Sequence, residues 1–107
     1  MEEVKRLYEL IKQRQQQPEE GSYTNYLFDK GTTKILKKVG EECSEVLIAT
    51  LAESKEDTIY ELSDLLYHAV VLMVDQGITL EDIEHELAKR SAKTHNLKAE
   101  RKPVEHL

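Results

Sequence analysis

Two pairs of carboxylates carry the chemistry that can be read in this chain: Glu42 with Glu45, and Glu61 with Asp64. In each pair the acids stand three positions apart, which on a helix places both on one face, a turn apart. Like charges at that spacing weaken a bare helix slightly. Two such pairs facing each other repel unless a cation lies between them. Oxygen donors without His or Cys suit a hard ion, Mg2+ or Mn2+. Such an ion would bridge the acids to phosphate groups. A solvated face in a Glu-rich chain accounts for the same letters, so the weight falls on how the surrounding elements place the two pairs.

The chain has 107 residues, enough for one domain, 1–107, near the lower limit of what buries a core unaided. Four Gly, two Pro and an abundance of Glu, Lys and Leu favour an all-α fold. A first helix is expected over about Glu2–Gln16, with Val4, Leu7, Tyr8, Leu10 and Ile11 at helical spacing. Pro18 and Gly21 then break it. Residues Ser22 to Gly31 read as a connection whose Tyr23, Tyr26 and Phe28 either anchor it to the bundle or lid a binding site.

A second helix, roughly Thr33–Glu53 with Thr32 or Thr33 as N-cap, carries a stripe of Ile35, Leu36, Val39, Cys43, Val46, Leu47 and Thr50. Glu42 sits at the border of that stripe and is the acid expected to be partly buried, whereas Glu41 points away. Cys43 reads as core. Ser54-Lys55-Glu56-Asp57 resembles a capping box for a third helix that stops at Gly77. Its core face is Ile59, Leu62, Leu65, Leu66, Ala69, Val70 and Met73, and beyond Asp64 it is apolar nearly all round. Such a helix must be covered on all sides, so a homodimer or higher oligomer through the second and third helices is expected. Thr79 caps a fourth helix that turns Leu80, Ile83, Leu87 and Ala88 inward and ends between Ala92 and Leu97. A polar tail follows from about residue 94.

The second and third helices form an αα-hairpin. Glu45 and Glu61 lie equally far from its turn, so the two acid pairs meet at one level of the bundle. His68 follows Asp64 by one turn, either orienting an acid, touching substrate or filling an interface. Lys34 and Lys38 precede the acids on the same helix. They either pair with them as ordinary helix neighbours or contact phosphate as point charges.

Composition narrows the function classes. A net charge of −6 argues against nucleic-acid binding through the phosphate backbone. A single Cys offers neither an internal disulfide nor metal-ligand spacing. No signal peptide or membrane span is apparent, and a cytoplasmic protein is expected.

Taken in order, Ser22-Tyr23-Thr24, Leu27-Phe28-Asp29-Lys30-Gly31, the run from Lys34 to Glu42, Glu45, and Tyr60 to His68 resemble the phosphoribosyl-ATP pyrophosphatase family, of the all-α NTP pyrophosphatase (MazG-like) superfamily. The E-E-x-x-E … E-x-x-D acids mark the superfamily. The Ser-Tyr-Thr segment and the lysine-rich run point to this member, and the match spans about residues 4 to 90. The resemblance implies a helical bundle of four to five helices completed by dimerisation. It also implies hydrolysis of the α–β phosphoanhydride of phosphoribosyl-ATP to phosphoribosyl-AMP and pyrophosphate, in histidine biosynthesis. The implied metal ligands are Glu42, Glu45, Glu61 and Asp64, for Mg2+ or Mn2+. Glu41 or Glu42 would take the proton from water. Ser22, Tyr23, Thr24, Lys30, Lys34, Lys37 and Lys38 would contact substrate. A general (d)NTP pyrophosphatase shares the acids, and a non-catalytic helical dimer shares the periodicity.

Overall fold

The computed structural model describes residues 1–93. They form five helices: α1 Glu2–Gln16, α2 Tyr23–Lys30, α3 Thr32–Ala52, α4 Lys55–Asp75 and α5 Leu80–Ser91. No strand occurs among the described residues, so the fold is all-α, as expected. The expected polar tail from about 94 lies outside the described residues.

The α3–α4 hairpin is the principal pair, with α1 laid against α4 and α2 wedged between α1 and α3. Its turn is set by a reciprocal capping box: the Ser54 side chain accepts from the Asp57 N–H, and the Asp57 carboxylate accepts from the Ser54 N–H. At the other end, the Thr32 hydroxyl donates to Asp75 Oδ2 at 2.7 Å and ties the start of α3 to the end of α4. Ile11, Leu27, Ile35, Val70 and Val71 are fully enclosed, one or two from each of the first four helices. Each such side chain contributes about 1.5–3 kcal/mol by leaving water. Tyr8 joins them and donates its hydroxyl to the Ile78 carbonyl at 2.9 Å, so its polar tip is satisfied.

The structure corrects four expectations. The connection from Ser22 to Gly31 is mostly helix: Ser22 caps α2 by accepting from the Asn25 N–H, and Gly31 ends it at φ 90°. The same Gly31, not Thr32 or Thr33, is the N-cap of α3, and no side chain caps that end. Cys43 is exposed, not core. Finally, Leu36, Leu47, Ile59, Leu62, Leu66, Ile83 and Leu87 are all exposed, although their spacing reads as buried. The four helices around one small core cover only one side of α3 and α4, and α5 makes few contacts with the rest. Periodicity reports that a face is apolar, not which chain covers it.

Candidate active site

The antiparallel pairing of α3 and α4 puts the acids together. Glu42 and Asp64 are equally far in sequence from Glu53 at the turn, and so are Glu45 and Glu61. Glu42 is 6% exposed, the expected buried acid. One donor atom each from Glu42, Asp64 and His68 lie within 4.8 Å of one another. Burial pushes the Glu42 carboxyl above the usual carboxylate range, and the facing Asp64 carboxyl pushes it further. Glu61 is also raised, first by loss of surrounding water and then by the charge of Glu45 and Asp64. Glu45 and Glu61 therefore feel each other, but they stand outside the tight cluster.

Lys38 is the counter-charge. Its ammonium lies 3.2 Å from Glu41 Oε2 and 3.6 Å from Glu42 Oε1. The hydrogen bond from Lys38 holds Glu41 ionised, with its carboxyl below the usual range. The ammonium groups of Lys30 and Lys34 lie 5.8 and 5.9 Å from the centre of the Tyr26 ring, and the charges of Lys34 and Lys37 add to that of Lys38 in lowering the Glu41 carboxyl. Lys37 is exposed. Two facing carboxylates, one ammonium and further acids at the rim form an oxygen-rich donor set with excess negative charge, which suits a divalent cation.

The Ser22-Tyr23-Thr24 hydroxyls all have partners within the protein. Ser22 Oγ accepts from the Asn25 N–H at 3.2 Å. The Tyr23 hydroxyl meets His68 Nε2 at 2.9 Å, and the Thr24 hydroxyl is hydrogen-bonded to the Tyr67 hydroxyl. Tyr23 stacks on Tyr26 at 6.0 Å and on Tyr67 at 6.1 Å. Tyr67 is thus a part of the site that sequence reasoning did not single out, whereas His68 was weighed there as a residue that orients an acid. For His68 the signal was present, one turn after Asp64. For Tyr67 there was none, because its role depends on where α2 docks.

A family model described as phosphoribosyl-ATP pyrophosphohydrolase matches residues 4–91. The chain is 54% identical over 104 residues to the phosphoribosyl-ATP pyrophosphatase of Clostridium acetobutylicum, covering 97% of this chain and 94% of that one. It is 51% identical over 98 residues to the phosphoribosyl-ATP pyrophosphatase of Lactiplantibacillus plantarum, covering 92% of each. It is also 57% identical over 93 residues to the histidine biosynthesis bifunctional protein HisIE of Caldanaerobacter subterraneus subsp. tengcongensis, covering 87% of this chain and 45% of that protein.

Proposed function

We propose residue roles for a chain that belongs to the phosphoribosyl-ATP pyrophosphohydrolase family and is a hydrolase of histidine biosynthesis. The reaction splits phosphoribosyl-ATP into phosphoribosyl-AMP and pyrophosphate. The observation that carries the residue-level reading is the buried Glu42 carboxyl facing Asp64, with Lys38 in reach.

Glu42 and Asp64 would hold a divalent ion, Mg2+ or Mn2+, with Glu45 and Glu61 completing the oxygen set from the rim. Bound there, the ion would screen the polyphosphate and lower the pKa of a coordinated water. Glu42 has two carboxylate oxygens, so it can bind with one and take a proton with the other. Glu41 is already engaged by a hydrogen bond from Lys38, so Glu42 is the better placed of the two to take that proton. Glu41 instead fixes Lys38, which then points its charge at the pyrophosphate as it leaves. Lys30, Lys34 and Lys37 extend the positive charge along the same side toward the substrate's other phosphate-bearing end.

The exposed apolar face of α3 and α4 supports a homodimer. No described helix is long and apolar enough to cross a membrane, and we place the enzyme in the cytoplasm.

Rates of pyrophosphate release from phosphoribosyl-ATP and from dNTPs test the substrate. The expected result is turnover of phosphoribosyl-ATP far above any dNTP; the reverse order would overturn the assignment. Asp64→Asn keeps the shape and removes the charge. It should lower kcat/KM by about a hundredfold or more, and full activity would exclude the carboxylate pair from the site.

A further inference from the structure

His68 is 2% exposed and lies within the acid cluster, where it could pass for a metal ligand. Its hydrogen bonds argue otherwise. Nδ1 lies 2.8 Å from the backbone oxygen of Asp64. A carbonyl oxygen only accepts, so Nδ1 carries a proton and has no lone pair for a metal. In the neutral ring Nε2 is then the acceptor, and its partner at 2.9 Å is the Tyr23 hydroxyl, which must donate. The chain runs Tyr23 O–H to Nε2, then Nδ1–H to the Asp64 carbonyl, linking α2 to the acid-bearing turn of α4.

The neighbouring contacts reinforce this link. The Tyr67 ring lies edge-on to His68 at 5.0 Å, and the Tyr67 hydroxyl is hydrogen-bonded to Thr24. Two consecutive residues of α2, Tyr23 and Thr24, are thus locked to two consecutive residues of α4, Tyr67 and His68.

We propose that His68 is a positioning residue, not a metal ligand: through its Nδ1–H tautomer it accepts the Tyr23 hydroxyl hydrogen bond at Nε2 and fixes α2, with its lysine-bearing end, against the Asp64 turn. This deepens the pyrophosphatase reading and rests on it for the kinetic effects alone. Tyr23 consequently has no proton left to donate to a phosphate, and it meets a nucleotide with its half-exposed ring.

The link is read first without turnover. Nitrogen-15 NMR of the imidazole in the full chain, kept free of metal with EDTA, should show the His68 proton at Nδ1 and Nε2 as the hydrogen-bond acceptor. An Nε2–H tautomer overturns the proposal, whether or not the protein is a pyrophosphatase. Kinetics and metal binding follow. Tyr23→Phe, which keeps the ring, and His68→Asn, which keeps a donor where Nδ1 stands, should each lower kcat/KM for phosphoribosyl-ATP about 10- to 100-fold. The double variant should fall little further, because both changes break one link. Calorimetric Mn2+ affinity should stay within about threefold of the parent in every variant, whereas losing a ligand or its immediate support costs about 10- to 100-fold. His68→Gln, whose amide oxygen can stand in for Nε2 as acceptor, should recover part of the rate. A tenfold loss of Mn2+ affinity in His68→Asn with none in Tyr23→Phe makes His68 a ligand and overturns the proposal. So does a Tyr23→Phe enzyme of unchanged kcat/KM.

Discussion

Glu42 sets the balance between stability and function at the residue scale. Its carboxyl titrates higher in the folded chain than in the unfolded one. The stability this contributes is fully present below the ordinary glutamate range and is lost as the pH rises through the raised value. With EDTA present, Glu42→Gln should therefore melt higher than the parent at pH 7, by on the order of 1 kcal/mol or about 4–8 °C, and the difference should shrink toward pH 4. Loss of the Lys38 contact offsets part of this gain. In millimolar Mg2+ the order should reverse, since the parent gains RT ln(1 + [L]/Kd) and the variant does not. Thermal melts across pH, with and without Mg2+, check both signs. The acid pairs and the buried character of Glu42 were legible because spacing and stripe position are sequence properties. The bond from Tyr23 to His68 joins residues far apart in the chain and became visible only once α2 was docked.

Elements position these residues through their ends more than through their middles. Gly31 stops α2 and starts α3 at φ 90° and ψ −178°, a region that only glycine occupies comfortably. A Cβ there would meet no atom within 4 Å, so Gly31→Ala should act through backbone strain alone. The expected loss is about 1–3 kcal/mol, read as a lower midpoint in urea with an unchanged m-value. A shift in m would point instead to altered compactness. The capping boxes at Ser54 and Thr79 were legible because they are local patterns. The helix inside the Ser22–Gly31 connection was not, because it is eight residues long and carries aromatics on more than one side. Its Asn25 is buried, donating to the Arg14 carbonyl at 2.7 Å and accepting from the Glu19 N–H at 2.9 Å, which pins the loop between α1 and α2.

For the whole molecule, the exposed apolar side chains on α3 and α4 are the main unfinished business. Leu47, Leu51, Ile59 and Leu62 face outward, and Leu51 is 86% exposed. A patch of this kind on a lone chain is an interaction surface or an aggregation hazard. Light scattering at micromolar concentration should give at least twice the mass of one chain, and Leu62→Glu should move it toward one chain; a monomeric parent would contradict this. The sequence carried the apolar stripes, yet it could not assign them to the chain's own core or to a neighbour's. Chain size explains part of the shortfall, since a domain this small buries a limited share of its surface. The most direct test of the central claim, that the Glu42–Asp64 pair is the metal-dependent centre of pyrophosphate release, is a Mg2+ titration of EDTA-stripped protein with phosphoribosyl-ATP. The account predicts negligible release without metal, a saturable rise as Mg2+ is restored, and no such rise in Glu42→Gln. Full release in EDTA, or a normal Mg2+ response in that variant, would contradict it.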